Sequence, residues 1–131
     1  AVSGNKVFTY DMFKTPEEWD IEHISLADNA DCVVIAPATA NIIAKIANGI
    51  CDDMLTCIAC ATKAPLLFAP AMNENIYKNK IVQENINKLK KLGYHFTGPI
   101  KGILACGKEG IGHIQDTRVI IQEIKQLTQH I

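Results

Sequence analysis

The chain of 131 residues has almost no net charge, few aromatic residues and no long apolar run. Its 13 basic and 14 acidic side chains give a formal net charge of -1, which argues against binding nucleic acid through a surplus of Lys and Arg. No stretch approaches the ~18 consecutive apolar residues of a membrane span, and no basic-then-apolar start indicates a signal peptide. The apolar fraction of 48% excludes a disordered chain, and the eight Gly and five Pro are too few for a collagen-like chain. We expect a single compact domain in the cytoplasm.

The five cysteines are odd in number and have no regular spacing. Without a secretory context, they are interpreted as free thiols and not as a disulfide framework. Cys57 and Cys60 form a Cys-x-x-Cys pair, but a structural zinc site normally needs a second pair, and the sequence has none. Because both cysteines lie in the apolar stretch 55–61, we predict that they are buried like small apolar residues and that no metal is bound.

Apolar runs and helical repeats alternate along the chain. Residues 32–36 and 65–69 are continuous apolar runs that each precede a proline, as is typical of parallel strands covered on both faces. Repeats with helical spacing follow them. This alternation predicts an α/β fold with a mainly parallel sheet. The predicted strands are 32–36, 65–69 and 94–96, and the predicted helices are 42–47, 76–91 and 117–130.

The two longer predicted helices each have an apolar face. Glycine marks the ends of two predicted helices: an Asn-Gly pair at 48–49 ends the helix 42–47, and Gly93 ends the helix 76–91. These faces are expected to cover the sheet. The predicted buried positions are Ile81, Ile86, Leu89 and Leu92 in the helix 76–91, and Ile120, Ile121, Ile124 and Leu127 in the helix 117–130.

The two strongest strands run into the same tripeptide. Residues 36–38 and 69–71 both read Ala-Pro-Ala, and Asn41 and Asn73 follow them just before the helices. Proline is expected to stop the hydrogen-bond ladder of each strand, and small residues allow a ligand close to the backbone. Ligands of doubly wound sheets bind at the carboxyl ends of the strands, so the two exits are predicted to form two walls of one pocket. The alternative is that both asparagines are ordinary helix caps.

Two further candidate residues are isolated in the sequence. His23 has the ordinary pKa of a general acid or base, although most histidines in such a position are half-exposed polar residues. Cys106 lies in the glycine-rich segment 104–112, whose glycine order does not fit a dinucleotide-binding motif. We interpret this segment as a flexible loop able to close over a site with its thiol exposed; the alternative is a solvated loop with an incidental cysteine.

Together these segments resemble the homo-oligomeric flavin-containing cysteine decarboxylases. Residues 23–27 (His-Ile-Ser-Leu-Ala) look like the family's His-Ile-x-Leu segment. Residues 37–42 (Pro-Ala-Thr-Ala-Asn-Ile) are similar to its flavin-binding block, and residues 70–77 (Pro-Ala-Met-Asn-Glu-Asn-Ile-Tyr) to its Pro-x-Met-Asn-x-x-Met-Trp signature. The segment 104–107 (Leu-Ala-Cys-Gly) looks like its substrate clamp. The blocks occur in family order over nearly the whole chain.

The resemblance implies a Rossmann-like, flavodoxin-like fold with three layers and a doubly wound parallel sheet. It also implies three catalytic residues: His23 near the flavin, Asn73 on the substrate carboxylate, and Cys106 as the proton donor that completes turnover. The implied FMN contacts are Thr39, Ala40, Asn41, Ile42 and Ala71, and the implied substrate contacts are Asn73, Ile103, Ala105 and Ile114.

The reaction implied by the resemblance is the FMN-dependent decarboxylation of 4'-phosphopantothenoylcysteine to 4'-phosphopantetheine in coenzyme A biosynthesis. Loss of carbon dioxide from a cysteine leaves an electron pair that the side chain cannot delocalise. Flavin overcomes this by oxidising the thiol to a thioaldehyde, whose C=S group accepts that electron pair. The alternatives are a decarboxylase of C-terminal cysteine in peptides, a non-catalytic regulatory flavoprotein subunit and a flavin-free binding module. The implied partners are further copies of the chain, as a trimer or a multiple of it, and a phosphopantothenate–cysteine ligase domain or protein.

The sequence departs from the family pattern in three places. Its first residues, 1–7, resemble a point well inside the family domain, so we expect residues 1–131 to be a single partial domain without the opening strand and phosphate-binding turn, and to hold FMN poorly. Ile76 and Tyr77 replace Met-Trp, which is a mild apolar change. His113 stands where relatives often carry Arg, which leaves the contact to the substrate phosphate open.

Overall fold

A computed structural model of the chain describes residues 24–129. Helical residues 24–29 (α1) precede the first strand, and a helix ends the described part of the chain. The remaining elements are β1 (Val33–Ala38), α2 (Ala40–Ala47), α3 (Met54–Ala61), β2 (Leu66–Pro70), α4 (Glu74–Lys78), α5 (Lys80–Lys91), β3 (His95–Phe96), β4 (Ile100–Ile103), β5 (Glu109–His113) and α6 (Thr117–Thr128).

Strands β1, β2 and β3 form a parallel sheet in the order β1-β2-β3. Val33 pairs with Leu66 and Ile35 with Phe68, and Leu67 pairs with His95 on the other side of β2. Strands β4 and β5 form a separate antiparallel hairpin. The predicted α/β class and the parallel pairing of the two apolar runs are therefore confirmed.

The central strand β2 is buried along its whole length because helices cover both faces of the sheet. Its side chains alternate between the faces: Leu66 and Phe68 belong to one apolar cluster, and Leu67 and Ala69 to another. Residues of α2 and α5 complete the first cluster, and Ile120 of α6 belongs to the second. This arrangement is the three-layer architecture that the family resemblance implied.

An aromatic contact strengthens the first cluster. The ring of Phe68 stacks on Phe96 with a centroid distance of 4.7 Å and meets Tyr94 edge-on at 6.2 Å. Burial of a side chain of this size contributes about 1.5–3 kcal/mol, and aromatic pairing adds to it. Within residues 24–129, no helix combines the length and apolar character needed to cross a bilayer.

The predicted helix 76–91 is two helices. Asn79 has an extended backbone, ends α4, and caps α5 by accepting from the amides of Ile81 and Val82. Ile81 and Leu92 are each 66% exposed, whereas Ile86 and Leu89 are buried as predicted. The prediction of Ile81 and Leu92 as buried residues is wrong because Ile81 precedes Ile86 by five residues, which places it roughly 140° away around the helix, and Leu92 is the residue at which α5 ends.

The closing helix α6 begins at Thr117 as predicted and is described to Thr128. Ile120 is buried, and Ile124 and Leu127 pack beside it at spacings of four and three residues. Ile121 is 46% exposed and lies off this face, contrary to the prediction. The predicted end of the helix at His130 lies outside the described residues.

Proline ends strand β2 as predicted, but it does not end strand β1. Pro37 lies inside β1 and Pro70 is the last residue of β2. The register shifts between Ile35 and Ala38, after which Ala38 pairs with Pro70. A bulge of this kind accommodates a residue that has no N–H to donate. The strand ends therefore lie one or two residues further along the chain, next to the predicted site.

Candidate functional site: two strand exits and a clamp hairpin

The exits of β1 and β2 lie side by side at the same edge of the sheet. The amide of Ala71 donates to the carbonyl of Ala38 at 3.2 Å, which places Thr39 close to Ala71. Because β1 and β2 are parallel neighbours, their carboxyl ends must meet at one edge. The two Ala-Pro-Ala exits are therefore neighbours in the fold, and their role as two walls of one pocket stays a prediction.

The predicted cofactor segment forms the start of α2. The Thr39 side chain caps this helix by accepting from the amide of Ile42 at 3.2 Å, which leaves its own hydroxyl hydrogen able to donate. Thr39 and Asn41 are exposed, and Ala40 is half-buried. The side chain of Ile42 belongs to the core, so it anchors the segment and offers no side-chain surface to a ligand.

The two asparagines that follow the exits differ in their structural role. Asn73 is the cap of α4, since its Oδ1 accepts from the amides of Asn75 at 2.8 Å and Ile76 at 3.3 Å. Asn41 lies inside α2, whose cap is Thr39. The helix-cap alternative is therefore correct for Asn73 and wrong for Asn41, because Thr39 reaches the free amides two residues earlier.

A cavity of about 510 Å³ lies between the exit of β2 and the β4–β5 hairpin. It brings Asn73 and Cys106 together with all the other residues predicted to contact substrate, and with Ala71 of the predicted cofactor set. Thr39, Ala40, Asn41 and Ile42 are not among its lining residues. The lining consists of Ala71, Met72, Asn73, Ile103, Leu104, Ala105, Cys106, Gly112, His113 and Ile114.

Asn73 has a hydrogen-bond donor to offer in this cavity. Its Oδ1 is used by the α4 cap, whereas no described residue accepts from its Nδ2. An amide NH2 group can bind a carboxylate without a full ion pair. The local fold thus orients Asn73 through one atom of the amide and leaves the other for a ligand.

The segment around Cys106 is the tip of a hairpin and not an irregular loop. Strand β4 leads directly into it, the amide of Leu104 donates to Lys108 O at 2.9 Å, and the amide of Gly107 donates to Leu104 O at 2.8 Å. Gly107 has a φ of +85°, which glycine adopts readily. Cys106 is exposed, as predicted. We call residues 100–113 the clamp hairpin.

The clamp hairpin docks on the residues that follow β2. The amide of Met72 donates to Gly112 O at 2.9 Å. At Gly112, where φ is +135°, a Cβ atom would collide with the carbonyl oxygen of Met72. A glycine is therefore required for the hairpin to approach this closely.

Sequence reasoning did not single out Met72, Leu104 and Gly112 as cavity residues, and it considered His113 only for its departure from the family pattern. The ring of His113 packs over Gly102, where a Cβ atom would lie 2.8 Å from the ring, and its Nδ1 is 2.7 Å from Ile114 O. The sequence signal that could have indicated these cavity residues is the repeated glycine in this segment, because glycine opposite a bulky side chain is typical of closely packed strands. His23 lies outside the described residues, so the structure does not place it.

Three other cysteines lie together on α3 and the loop before it. Cys57 is buried, and its thiol donates to Cys51 O at 3.5 Å. Cys60 is exposed, so the prediction that both members of the pair are buried is wrong for this residue. Within residues 24–129, no group of three His, Cys, Asp or Glu side chains is arranged to hold a metal ion.

We expect the exposed thiols to react with an alkylating reagent at different rates. Partial burial, together with the neighbouring Cys51 thiol, raises the pKa of Cys60 to about 12, so Cys60 is almost entirely in the unreactive thiol form at pH 8. Cys106 and Cys51 should therefore be labelled by iodoacetamide before Cys60, with Cys57 labelled last. Mass spectrometry of digested protein after timed labelling measures the order. Labelling of Cys60 as fast as Cys106 would contradict the prediction.

The chain belongs to the Flavoprotein family, whose model matches residues 1–129. This confirms the family resemblance and the fold expected from the sequence. Among curated proteins, the chain is 46% identical over 122 residues to the coenzyme A biosynthesis bifunctional protein CoaBC of Bacillus subtilis, covering 93% of this chain and 30% of that protein. It is 42% identical over 128 residues to a probable phosphopantothenoylcysteine decarboxylase of Streptococcus mutans, covering 96% of this chain and 71% of that protein.

Two solved structures share the fold closely. A Cys-to-Ser mutant of PPC decarboxylase complexed with pantothenoylaminoethenethiol has a TM-score of 0.79 and 38% identity, covering 82% of this chain and 60% of its own. The FMN-binding protein AtHal3 has a TM-score of 0.74 and 38% identity, covering 84% of this chain and 60% of its own. The chain thus spans about 30% of the length of the bifunctional relatives and about 60% of these structures.

Proposed function

We propose that the protein is an FMN-dependent lyase that decarboxylates 4'-phosphopantothenoylcysteine to 4'-phosphopantetheine, a step of coenzyme A biosynthesis. The observation that carries this proposal is the single cavity that holds both Asn73 and the thiol of Cys106. The proposal is supported by the decarboxylase and CoaBC relatives and by the mutant PPC decarboxylase that holds an aminoethenethiol. A carboxylate-binding amide opposite a proton-donating thiol is the arrangement that this reaction needs.

The residues at the strand exits fit a flavin. Thr39 and Asn41 offer exposed polar groups, and the small half-buried side chains of Ala40 and Ala71 leave room for a planar ring close to the backbone. Bound FMN would supply the electron acceptor that oxidises the substrate thiol and later returns the electrons. In our proposal Thr39, Ala40, Asn41 and Ala71 hold it, with Ile42 as the buried anchor of the segment.

Two side chains of the cavity would act on the substrate. Asn73 would bind the carboxylate through Nδ2, which orients the group without an ion pair that would oppose its loss as neutral carbon dioxide. After carbon dioxide leaves, Cys106 would donate a proton to the substrate carbon that becomes the saturated CH2 group. A thiol is a proton donor of suitable strength for such a step.

The apolar part of the cavity would bind the rest of the substrate and exclude water. Ile103, Ala105 and Ile114 line it on the clamp side, where they would contact the aliphatic carbons of the substrate. His113 would lie on the same side. Because His23 lies outside the described residues, its proposed position near the flavin depends on the sequence resemblance.

We also propose that residues 1–131 act as one flavoprotein decarboxylase domain. Assembly into a homotrimer or a multiple of it, and cooperation with a phosphopantothenate–cysteine ligase, remain predictions; the fused CoaBC relatives support the second. Location in the cytoplasm also remains a prediction. The chief alternative substrate is a peptide with a C-terminal cysteine.

The proposal is tested by adding an excess of FMN, since the chain is expected to hold it weakly, and then each substrate to the purified protein. We expect the protein to quench flavin fluorescence and to release carbon dioxide from 4'-phosphopantothenoylcysteine, with 4'-phosphopantetheine detected by mass spectrometry. Release from a cysteine-terminated peptide alone would favour the peptidyl alternative. FMN binding without release from either substrate would favour a regulatory subunit, and failure to bind FMN would contradict the proposal.

A further inference from the structure

Glu74 joins the clamp hairpin to the start of α4. Its Oε1 accepts a hydrogen bond from the amide of Ile111 in β5 at 3.2 Å. The same oxygen lies 3.4 Å from the ammonium group of Lys78, one turn further along the helix. The carboxylate therefore bridges two parts of the chain that are 37 residues apart.

The hairpin is shaped to receive this carboxylate. An ideal Cβ atom on Gly110 would lie 3.0 Å from the carboxyl carbon of Glu74, so a larger residue there would press on the side chain. The absence of a side chain at Gly110 thus allows the close approach. The hydrogen bond from Ile111, followed by Lys78 and Lys101, lowers the pKa of Glu74 below its ordinary value.

The Glu74–Ile111 hydrogen bond lies beside the cavity that holds Asn73 and Cys106. Glu74 directly follows Asn73, and Ile111 lies on the strand opposite Lys101, near the base of the hairpin whose tip carries Cys106. The hydrogen bond between the backbones of Met72 and Gly112 is a second contact at this base. Two adjacent attachments fix both the position and the tilt of the hairpin, whereas one would leave it free to rotate.

We propose that Glu74 is a positioning residue that holds the clamp hairpin at the angle at which Cys106 faces the group bound by Asn73. It acts on catalysis through the Ile111 amide and touches neither substrate nor cofactor. The inference rests on the proposed function for its catalytic consequence, but the attachment itself can be measured without any activity.

The test compares Glu74→Ala, Glu74→Gln and the control Glu84→Ala in the full chain. Glu84 is an exposed residue of α5 that does not line the cavity, so its replacement removes the same charge at a site remote from the clamp. Glutamine at position 74 keeps an oxygen that can accept from Ile111. We expect hydrogen exchange in residues 100–113 to rise several-fold for Glu74→Ala and to stay near the wild-type rate for the other two variants.

The second measurement is the ratio of saturated product to carbon dioxide released. Misplacement of Cys106 should lower this ratio several-fold in Glu74→Ala and leave it near the wild-type value in Glu74→Gln and Glu84→Ala. Unchanged exchange in Glu74→Ala would overturn the attachment, and faster exchange with an unchanged ratio would overturn the positioning role. If the wild type releases no carbon dioxide, the proposed function fails, while the exchange data still decide whether Glu74 holds the hairpin.

Discussion

Replacing Cys106 with serine is expected to separate carbon dioxide release from completion of the reaction. A serine hydroxyl is a far weaker acid than a thiol, so it cannot supply the final proton at a useful rate. Loss of a general acid typically slows the affected step by roughly 10²–10⁴-fold. The variant should therefore release carbon dioxide but accumulate the unsaturated enethiol product in place of 4'-phosphopantetheine.

Mass spectrometry distinguishes the two products, because the enethiol is lighter by two hydrogen atoms. The matched control is Cys51→Ser, which changes another exposed cysteine that does not line the cavity, and it should give the saturated product. The known complex of a Cys-to-Ser PPC decarboxylase with pantothenoylaminoethenethiol supports this expectation. Normal output of 4'-phosphopantetheine from Cys106→Ser would remove Cys106 from the mechanism.

Replacing Asn73 with aspartate should abolish or strongly reduce decarboxylation while sparing the fold. The new carboxylate can still cap α4, because Asp and Asn are equally good caps. It would, however, repel the substrate carboxylate and would lack the amide hydrogens that bind it. Two like charges about 4 Å apart cost about 1–4 kcal/mol, depending on exposure, which lowers kcat/KM by roughly fivefold to a thousandfold.

Asn79→Asp provides a control with the same chemical change at another helix cap. Asn79 caps α5 through the amides of Ile81 and Val82 but does not line the cavity. Both variants should quench flavin fluorescence like the wild type, whereas only Asn73→Asp should lose carbon dioxide release. Full activity of Asn73→Asp would exclude Asn73 as the carboxylate-binding residue.

The layered core was predictable because its signal is local. The run 65–69 is continuously apolar, and β2 is buried along its length by helices on both faces. Ile86 and Leu89 were likewise identified by spacing and are buried. The break at Asn79 was not foreseen, because asparagine is compatible with a helix interior, and the sequence alone does not show that its side chain instead caps a new helix.

The clamp hairpin was missed for a related reason. Strands β4 and β5 are rich in glycine, and glycine weakens the strand signal because it loses backbone entropy and buries no side chain. The docking of the hairpin involves contacts with residues 72–74, about 40 positions earlier in the chain. A pattern read over a short window contains no information on such a contact.

The amino-acid sequence by itself determined the α/β class, the two Ala-Pro-Ala strand exits, the family and the residue types of the site, because each depends on periodicity or on a short motif. Only the tertiary structure decided that Asn73 and Cys106 share one cavity, that Thr39 and not Asn41 caps α2, and that Glu74 meets Ile111. The physical reason is that the cavity and the Glu74 contact join segments that are far apart in the chain, whereas at residues 39–41 two neighbouring side chains are both able to cap a helix and the backbone conformation decides between them.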